Sequence, residues 1–159
     1  MVDCEFYLHQ TFKVTPMKRS LFILLLFACF FAEAQTADEQ QIKQVVQTAY
    51  IDGIQNRGST EDIRKGFHPS FNMLRLVNNE IKPLAIEEWI SNIEKAKANN
   101  EAAQPKAEGK FIDVDISGTA AVVKLDLFRD GKRTFTDYLV LYKFQEGWKI
   151  ISKTFYRHP

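Results

Sequence analysis

Cysteine is scarce in this chain. Cys4 and Cys29 are the only two, and both precede Gln35, so residues 35–159 can form no internal disulfide, no thiolate nucleophile and no Cys-ligated zinc site. An excess of either charge is lacking as well, since 21 Lys+Arg stand against 20 Asp+Glu for a formal +1. That balance speaks against a nucleic-acid binder working through a basic face, and equally against an acidic-tail protein. A basic stripe interleaved with aromatics, as single strands require, is missing. So are a Gly-rich phosphate loop, a nucleophile elbow and an HExxH pair. His68 and His158 lie far apart with no matching carboxylate spacing, so no metal site is expected. What is present in quantity is apolar residues, 45% of the chain with 13% aromatic, enough for one domain held by its core alone.

The longest apolar run sits near the start. From Met17 the text reads MKRSLFILLLFACFFAEA, with Lys18 and Arg19 ahead of Leu21 to Phe31 and an A-x-A triplet at Ala32-Glu33-Ala34. These are the three parts of a cleaved export signal. The apolar core is too short to span a bilayer, which takes about 20 residues, and it has no polar face that would suit an amphipathic helix. The expected organisation is an upstream start extension at 1–16, a signal peptide at 17–34 and one domain at 35–159, exported to the periplasm or beyond. No membrane span is expected after signal removal. Leu26-Phe27-Ala28-Cys29 offers a lipoprotein site as a minor alternative, although bulky Phe27 and Phe30 suit it poorly.

The rest reads as helices first and strands after. Ile42, Val45, Val46, Ala49, Tyr50 and Ile54 fall on one stripe of a 3.6-residue period. Thr36 with Glu39 makes a capping box at its start, and Gly53 a stop. Ser59 to Asp62 opens a short second helix ended by Gly66. Phe71 to Val77 is strand-like, and Asn78-Asn79 marks a turn. A third helix is expected from about Pro83, burying Ile86, Trp89, Ile90 and Ile93, and 97–109 reads as a loop. Four strands follow, with turns at Gly118-Thr119, Asp130-Gly131 and Glu146-Gly147. The class is α+β, with helices packed on one face of a curved antiparallel sheet.

Two-residue turns fix a trial register. Ser117 then pairs with Ala120 and Val114 faces Val123, while Val123 faces Tyr138 and Leu125 faces Thr136. One sheet face collects Ile112, Val114, Ile116, Val123, Leu125, Leu127, Tyr138 and Val140. The other carries a row of Asp113, Lys124 and Asp137. Leu139 and Leu141 fall on that second face, which suggests that it too is covered, for example by a second subunit.

Several stretches are similar to the nuclear transport factor 2-like superfamily, and within it to the bacterial branch named putative lumazine-binding. The residues concerned are FHPSF at 67–71, IEEWI at 86–90, ISGTAAVVKLDL at 116–127, FTDYLVLYKF at 135–144 and GWKIISKTF at 147–155. The resemblance covers essentially all of 38–157. It implies a cone-shaped α+β fold, with a curved sheet wrapped around three helices, a pocket at the open end and a homodimer. It does not imply one chemistry, because the superfamily holds ketosteroid isomerases, SnoaL-like cyclases, dehydratases and binding modules.

Candidate site residues follow from residue type and register. His68, between the second helix and the first strand, could serve as general acid or base, or His-Pro could simply cap the turn. His158, next to the C-terminus, reads as solvated. Asp137 is a structural partner of Lys124 in the trial register. A slip of one residue would instead move it to the core face, where a buried acid could abstract a proton beside a carbonyl. Tyr50 or Tyr138 would then donate to the enolate. Lys153 faces the pocket if Glu146-Gly147 is a two-residue turn, ready for an anionic or carbonyl-bearing ligand, and faces solvent if the turn is bulged. Among the aromatics, Tyr50, Trp89, Tyr138 and Phe155 are the expected pocket walls. Arg129, Lys132 and Arg133 at a hairpin tip read as solubility. The leading expectation is an exported protein that binds a small apolar or amphipathic molecule without a cofactor. The alternatives are an isomerase, cyclase or dehydratase using Asp137 or His68, and an envelope interaction module using Leu139 and Leu141.

Overall fold

The computed structural model describes residues 36–159, which lie within one compact unit, Gln35–Pro159. The expected signal peptide at 17–34 and the stretch 1–16 lie outside the described residues. Helix α1 is α-helical over 36–45 and continues as a π-helical segment, Val46–Gln55. There follow α2 (Thr60–Gly66), β1 (Phe67–Val77), β2 (Glu80–Ala85) and α3 (Ile86–Ala98). The chain ends with β3 (Ala107–Ser117), β4 (Ala120–Arg129), β5 (Lys132–Phe144) and β6 (Gly147–Arg157). The six strands form one curved, unclosed sheet in the order β2-β1-β6-β5-β4-β3. It is mixed, because β1 and β6 run parallel while every other pair is antiparallel.

The apolar stripe of α1 is where the 3.6-residue period placed it, with Ile42, Val46, Ala49, Tyr50 and Ile54 all buried. Gly53 does not stop this helix. It sits inside it, where a Cβ would fall 2.6 Å from Ile63 Cγ1, so its bareness lets α2 pack against α1. Ser59 caps α2 by accepting from the Asp62 amide at 3.2 Å, as its position suggested. Pro83 opens no helix: it lies in β2, opposite Leu74 of β1. A proline is tolerated there because, among the described residues, β2 is an edge strand of the sheet.

Three β-bulges in the antiparallel pairs set the faces of the sheet. Between Phe111 and Asp113 of β3, Ile112 has no partner on β4. Between β4 and β5 the Asp130-Gly131 turn is two residues long, with φ of 50° and 72°, and Arg129 pairs with Lys132 as expected. Thr134 is then skipped, so Leu125 faces Asp137 and Lys124 faces Tyr138. In the last hairpin the turn is Gln145-Glu146, one residue earlier than expected, and Ile151 is skipped between Ile150 and Ser152. Since side chains alternate between faces, one slipped residue exchanges the two sets. Asp137, Leu139 and Leu141 therefore point into the core, each fully buried, while Tyr138 is 39% exposed on the outer face. The two-residue-turn register thus differs from the structure by one residue on either side of two bulges: Ile112 is 44% exposed rather than on the core face, and beyond Thr134 Tyr138 and Val140 leave that face as well. The buried Leu139 and Leu141 were the symptom of this difference, and they are not available as an interaction surface.

Candidate functional site

The interior facing the helices is apolar except at one place. Lys153 of β6 and Asp137 of β5 meet there, Nζ to Oδ1 at 2.7 Å, with side chains 4% and 0% exposed. They are diagonal neighbours on one face, because Asp137 pairs with Phe155 and Lys153 with Leu139. The contact is that of an ion pair rather than an aligned hydrogen bond, so Oδ1 has no other partner. The other carboxylate oxygen, Oδ2, accepts from the Tyr50 hydroxyl at 2.7 Å.

Around the ammonium stand three rings, their centroids 4.4 Å (Phe155), 5.2 Å (Tyr50) and 5.9 Å (Trp89) from Nζ. Met73 Sδ closes a further side at 4.0 Å. A cation among ring faces is attracted by their quadrupoles, which offsets part of the cost of leaving water. Tyr50 and Trp89 also meet edge to face, with centroids 6.3 Å apart.

The cluster continues outward as a hydrogen-bonded relay. Gln55 Nε2 donates to Tyr50 Oη at 3.0 Å. Arg129 Nη2 in turn donates to Gln55 Oε1 at 3.0 Å and to the Gln55 carbonyl at 3.1 Å. In an α-helix, residues five apart diverge by about 140°. The π-helical winding of Val46–Gln55 makes them neighbours, which is why Gln55 reaches Tyr50. At the outer end, Gln55, Trp89 and Arg129 line a cavity of about 230 Å³ with Ile54, Ile93 and Arg57. Trp89 belongs to both places.

Burial dominates the electrostatics. It pushes the Asp137 carboxyl up from the usual carboxylate range, and the charge of Lys153 opposes that shift without cancelling it. It pushes the Lys153 amine down, against the pull of Asp137. It also holds the Tyr50 phenol well above its ordinary value, with the Asp137 charge adding to the effect. The three groups share a water-poor environment in which the carboxyl is a stronger base and the amine a weaker one than in water.

The structure thus brings together Tyr50, Trp89, Asp137, Lys153 and Phe155 of the residues read from sequence. It does not bring His68 to them. That imidazole lies within β1 and not in a turn before it; it stacks on Phe144 at 4.8 Å, and its Nδ1 is 2.6 Å from Ser70 Oγ and accepts from the Ser70 amide at 3.2 Å. Tyr138 lies on the outer face over Lys124. His158 is not merely solvated: its Nε2 is 2.9 Å from Thr136 Oγ1, which donates to Asp126. Gln55, Met73 and Arg129 went unread. Arg129 reads from sequence as a surface charge at a hairpin tip, and its contact with Gln55 depends on where the π-helical segment places Gln55.

Replacing Lys153 with Met leaves Asp137 buried without its counter-charge, and about 3–5 kcal/mol of stability should be lost at neutral pH. Lys153 is what restrains the upward shift of Asp137, so the variant's carboxyl should rise further. A raised folded-state pKa contributes stability fully below the unfolded value of about 3.9 and loses it as pH climbs. Urea unfolding should therefore show a Lys153→Met deficit that shrinks as pH falls toward about 4. A deficit of equal size at both pH values would contradict this placement.

Comparison with known proteins agrees with the fold. The family described as "Putative lumazine-binding" matches residues 37–156. Aldolase FrzH of Cladobotryum sp is 25% identical over 118 residues, covering 72% of this chain and 90% of that protein. An NTF-2-like protein of unknown function from Silicibacter pomeroyi superimposes with a TM-score of 0.63 at 18% identity, over 78% of this chain and 98% of the other. An NTF2-like protein of unknown function from Shewanella baltica gives 0.62 at 24%, over 78% and 96%. A cystatin-like domain from Nostoc punctiforme gives 0.57 at 22%, over 78% and 79%. With a family match spanning nearly every described residue, the chain belongs to the putative lumazine-binding family, and its helices on a curved mixed sheet share the fold of these NTF2-like structures.

Proposed function

We propose that this protein is an exported enzyme that binds a small carbonyl compound between α1, α3 and the sheet and moves a proton on the carbon beside the carbonyl. The observation that carries the reading is the Lys153–Asp137–Tyr50 cluster, the polar group of an otherwise apolar interior. Asp137, its basicity increased by burial, takes the proton. Lys153, 2.7 Å from Asp137 Oδ1, supplies the positive charge nearest to the developing enolate oxygen. Tyr50 orients the carboxylate through its hydrogen bond to Oδ2, and the surrounding rings exclude water and strengthen these interactions. Trp89 is the element that must turn aside for substrate to pass from the outer cavity.

The similarity to a protein named an aldolase supports this reading, because an aldol reaction begins with a carbanion beside a carbonyl. The family's name points to a small-molecule ligand in general. Export is supported by the basic, apolar and A-x-A segments of 17–34. Protein secreted by its own host should begin at Gln35, and a recovered chain that still carries Met17 to Ala34 would contradict the address.

Deuterium uptake by phenylacetone in heavy water, followed by proton NMR, tests the chemistry. The intact protein should exchange the protons beside the carbonyl faster than buffer, and Asp137→Asn should lower that rate by about 10²–10⁴-fold. Exchange no faster than buffer, or equal rates in the two proteins, would overturn the reading.

A further inference from the structure

Although the chain carries a formal charge of only +1, its charges are unevenly placed. Three adjoining depressions open around Gln55, Gln104 and Arg129. Among them they are lined by Arg57, Lys106, Arg129, Lys132, Arg133 and Arg157, and by no Asp or Glu side chain. Arg133 is spoken for, since it pairs with Asp126 at 3.2 Å. Arg57 and Arg129 are different. Both line the cavity of about 230 Å³ beside Trp89, and neither meets a carboxylate among the described residues. Their partners are neutral carbonyl oxygens: Glu101 O for Arg57, and Pro105 O with both Gln55 oxygens for Arg129. Such contacts fix the guanidinium groups in place and leave their charge uncancelled. Burial weakens the hold of Arg129 on its proton; Tyr50 opposes that effect, and the like charge of Arg57 adds to it to a smaller extent. The remaining walls are Ile54, Ile93, Ala96 and the Trp89 ring, with the neutral amides of Gln55, Asn92 and Gln104, so that apolar surface and uncharged polar groups accompany two fixed cations.

We infer that this cavity is a binding site for a small organic anion, its carboxylate or phosphate held between Arg57 and Arg129 and its apolar body laid on Trp89 and Ile93. Resting on the reading above, it names the substrate class of the same site: a carbonyl compound that carries an anionic group. The anion anchors at the mouth while the reactive end is directed past Trp89 toward Lys153. A planar guanidinium presents paired donors that suit either anion, and two of them flanking an apolar wall would reject the neutral analogue by leaving both charges unpaired.

Titration calorimetry at low salt with phenylpyruvate, phenylacetone and benzylphosphonate tests the inference. Phenylpyruvate should bind at least about tenfold more tightly than phenylacetone, a difference typical of a charged hydrogen-bonded pair, and the advantage should shrink as salt is added. Benzylphosphonate binding as tightly as phenylpyruvate would assign the site to phosphate as well as carboxylate, and weaker binding would restrict it to carboxylate. Arg57→Asn is the safer variant, because residue 57 has φ of 53° and asparagine accepts that conformation. It should remove most of the advantage, and Arg129→Gln should do the same. Phenylacetone binding as tightly as phenylpyruvate, an advantage unchanged in Arg57→Asn, or no binding of either anion would overturn the inference. Proton exchange on phenylacetone is read independently, so tight neutral binding with exchange would sink this inference alone. Anion preference without exchange would sink only the proposed reaction.

Discussion

A lysine and an aspartate taken out of water together constrain the rest of this structure. Neither charge could be buried alone at a tolerable cost, and even the pair recovers its desolvation only when its surroundings are well arranged. Here the arrangement is specific. Tyr50 hydrogen-bonds one carboxylate oxygen, Lys153 stands 2.7 Å from the other as its counter-charge, and three rings and a thioether enclose the ammonium. An isosteric apolar pair in this position would give a core with nothing left to satisfy. That an ion pair is kept instead, bonded through Tyr50 and Gln55 to an arginine at the surface, is the feature on which the functional reading rests.

Backbone irregularity builds this site. Regular strands joined by two-residue turns would set Asp137 opposite Lys124 on the outer face. The bulge at Thr134 moves it inside, and the bulge at Ile151 completes the match by setting Lys153 opposite Leu139. The π-helical segment does the equivalent for Gln55. Bulges of this kind re-aim side chains next to functional sites and are built features of a fold. The same strands also carry outward-facing polar groups, where Asp126, Thr136 and His158 form a separate network.

How much was legible follows from this. The buried face of α1 could be read because Ile42, Val46, Ala49, Tyr50 and Ile54 recur on one side of a helix, although the winding over Val46–Gln55 is π-helical and not the α-helix that the 3.6-residue period implies. The Asp130-Gly131 and Gly118-Thr119 turns could be read from their chemistry, and Ser117 does pair with Ala120. The bulges could not, because an extra residue in a strand carries no fixed signature, and a single slip inverts every assignment beyond it. The one internal warning was Leu139 and Leu141, two large apolar residues assigned to a polar face. Strand β2 was hidden for a different reason: Pro83 argues against a strand unless its edge position is known. Tyr50, Trp89 and Phe155 were found by residue type, Asp137 and Lys153 only as register alternatives, and Gln55 and Arg129 not at all.

The central claim is that Lys153 is a desolvated amine coupled to Asp137 rather than one more surface lysine. Following the Lys153 Nζ nitrogen by NMR across a pH series tests it directly. The account predicts that this nitrogen titrates below the surface lysines, which cluster near about 10.4, and that its midpoint falls further in Asp137→Asn, where the neighbouring negative charge that supports the ammonium is gone. A Lys153 signal that titrates with the surface lysines, unmoved by the change at Asp137, would contradict it.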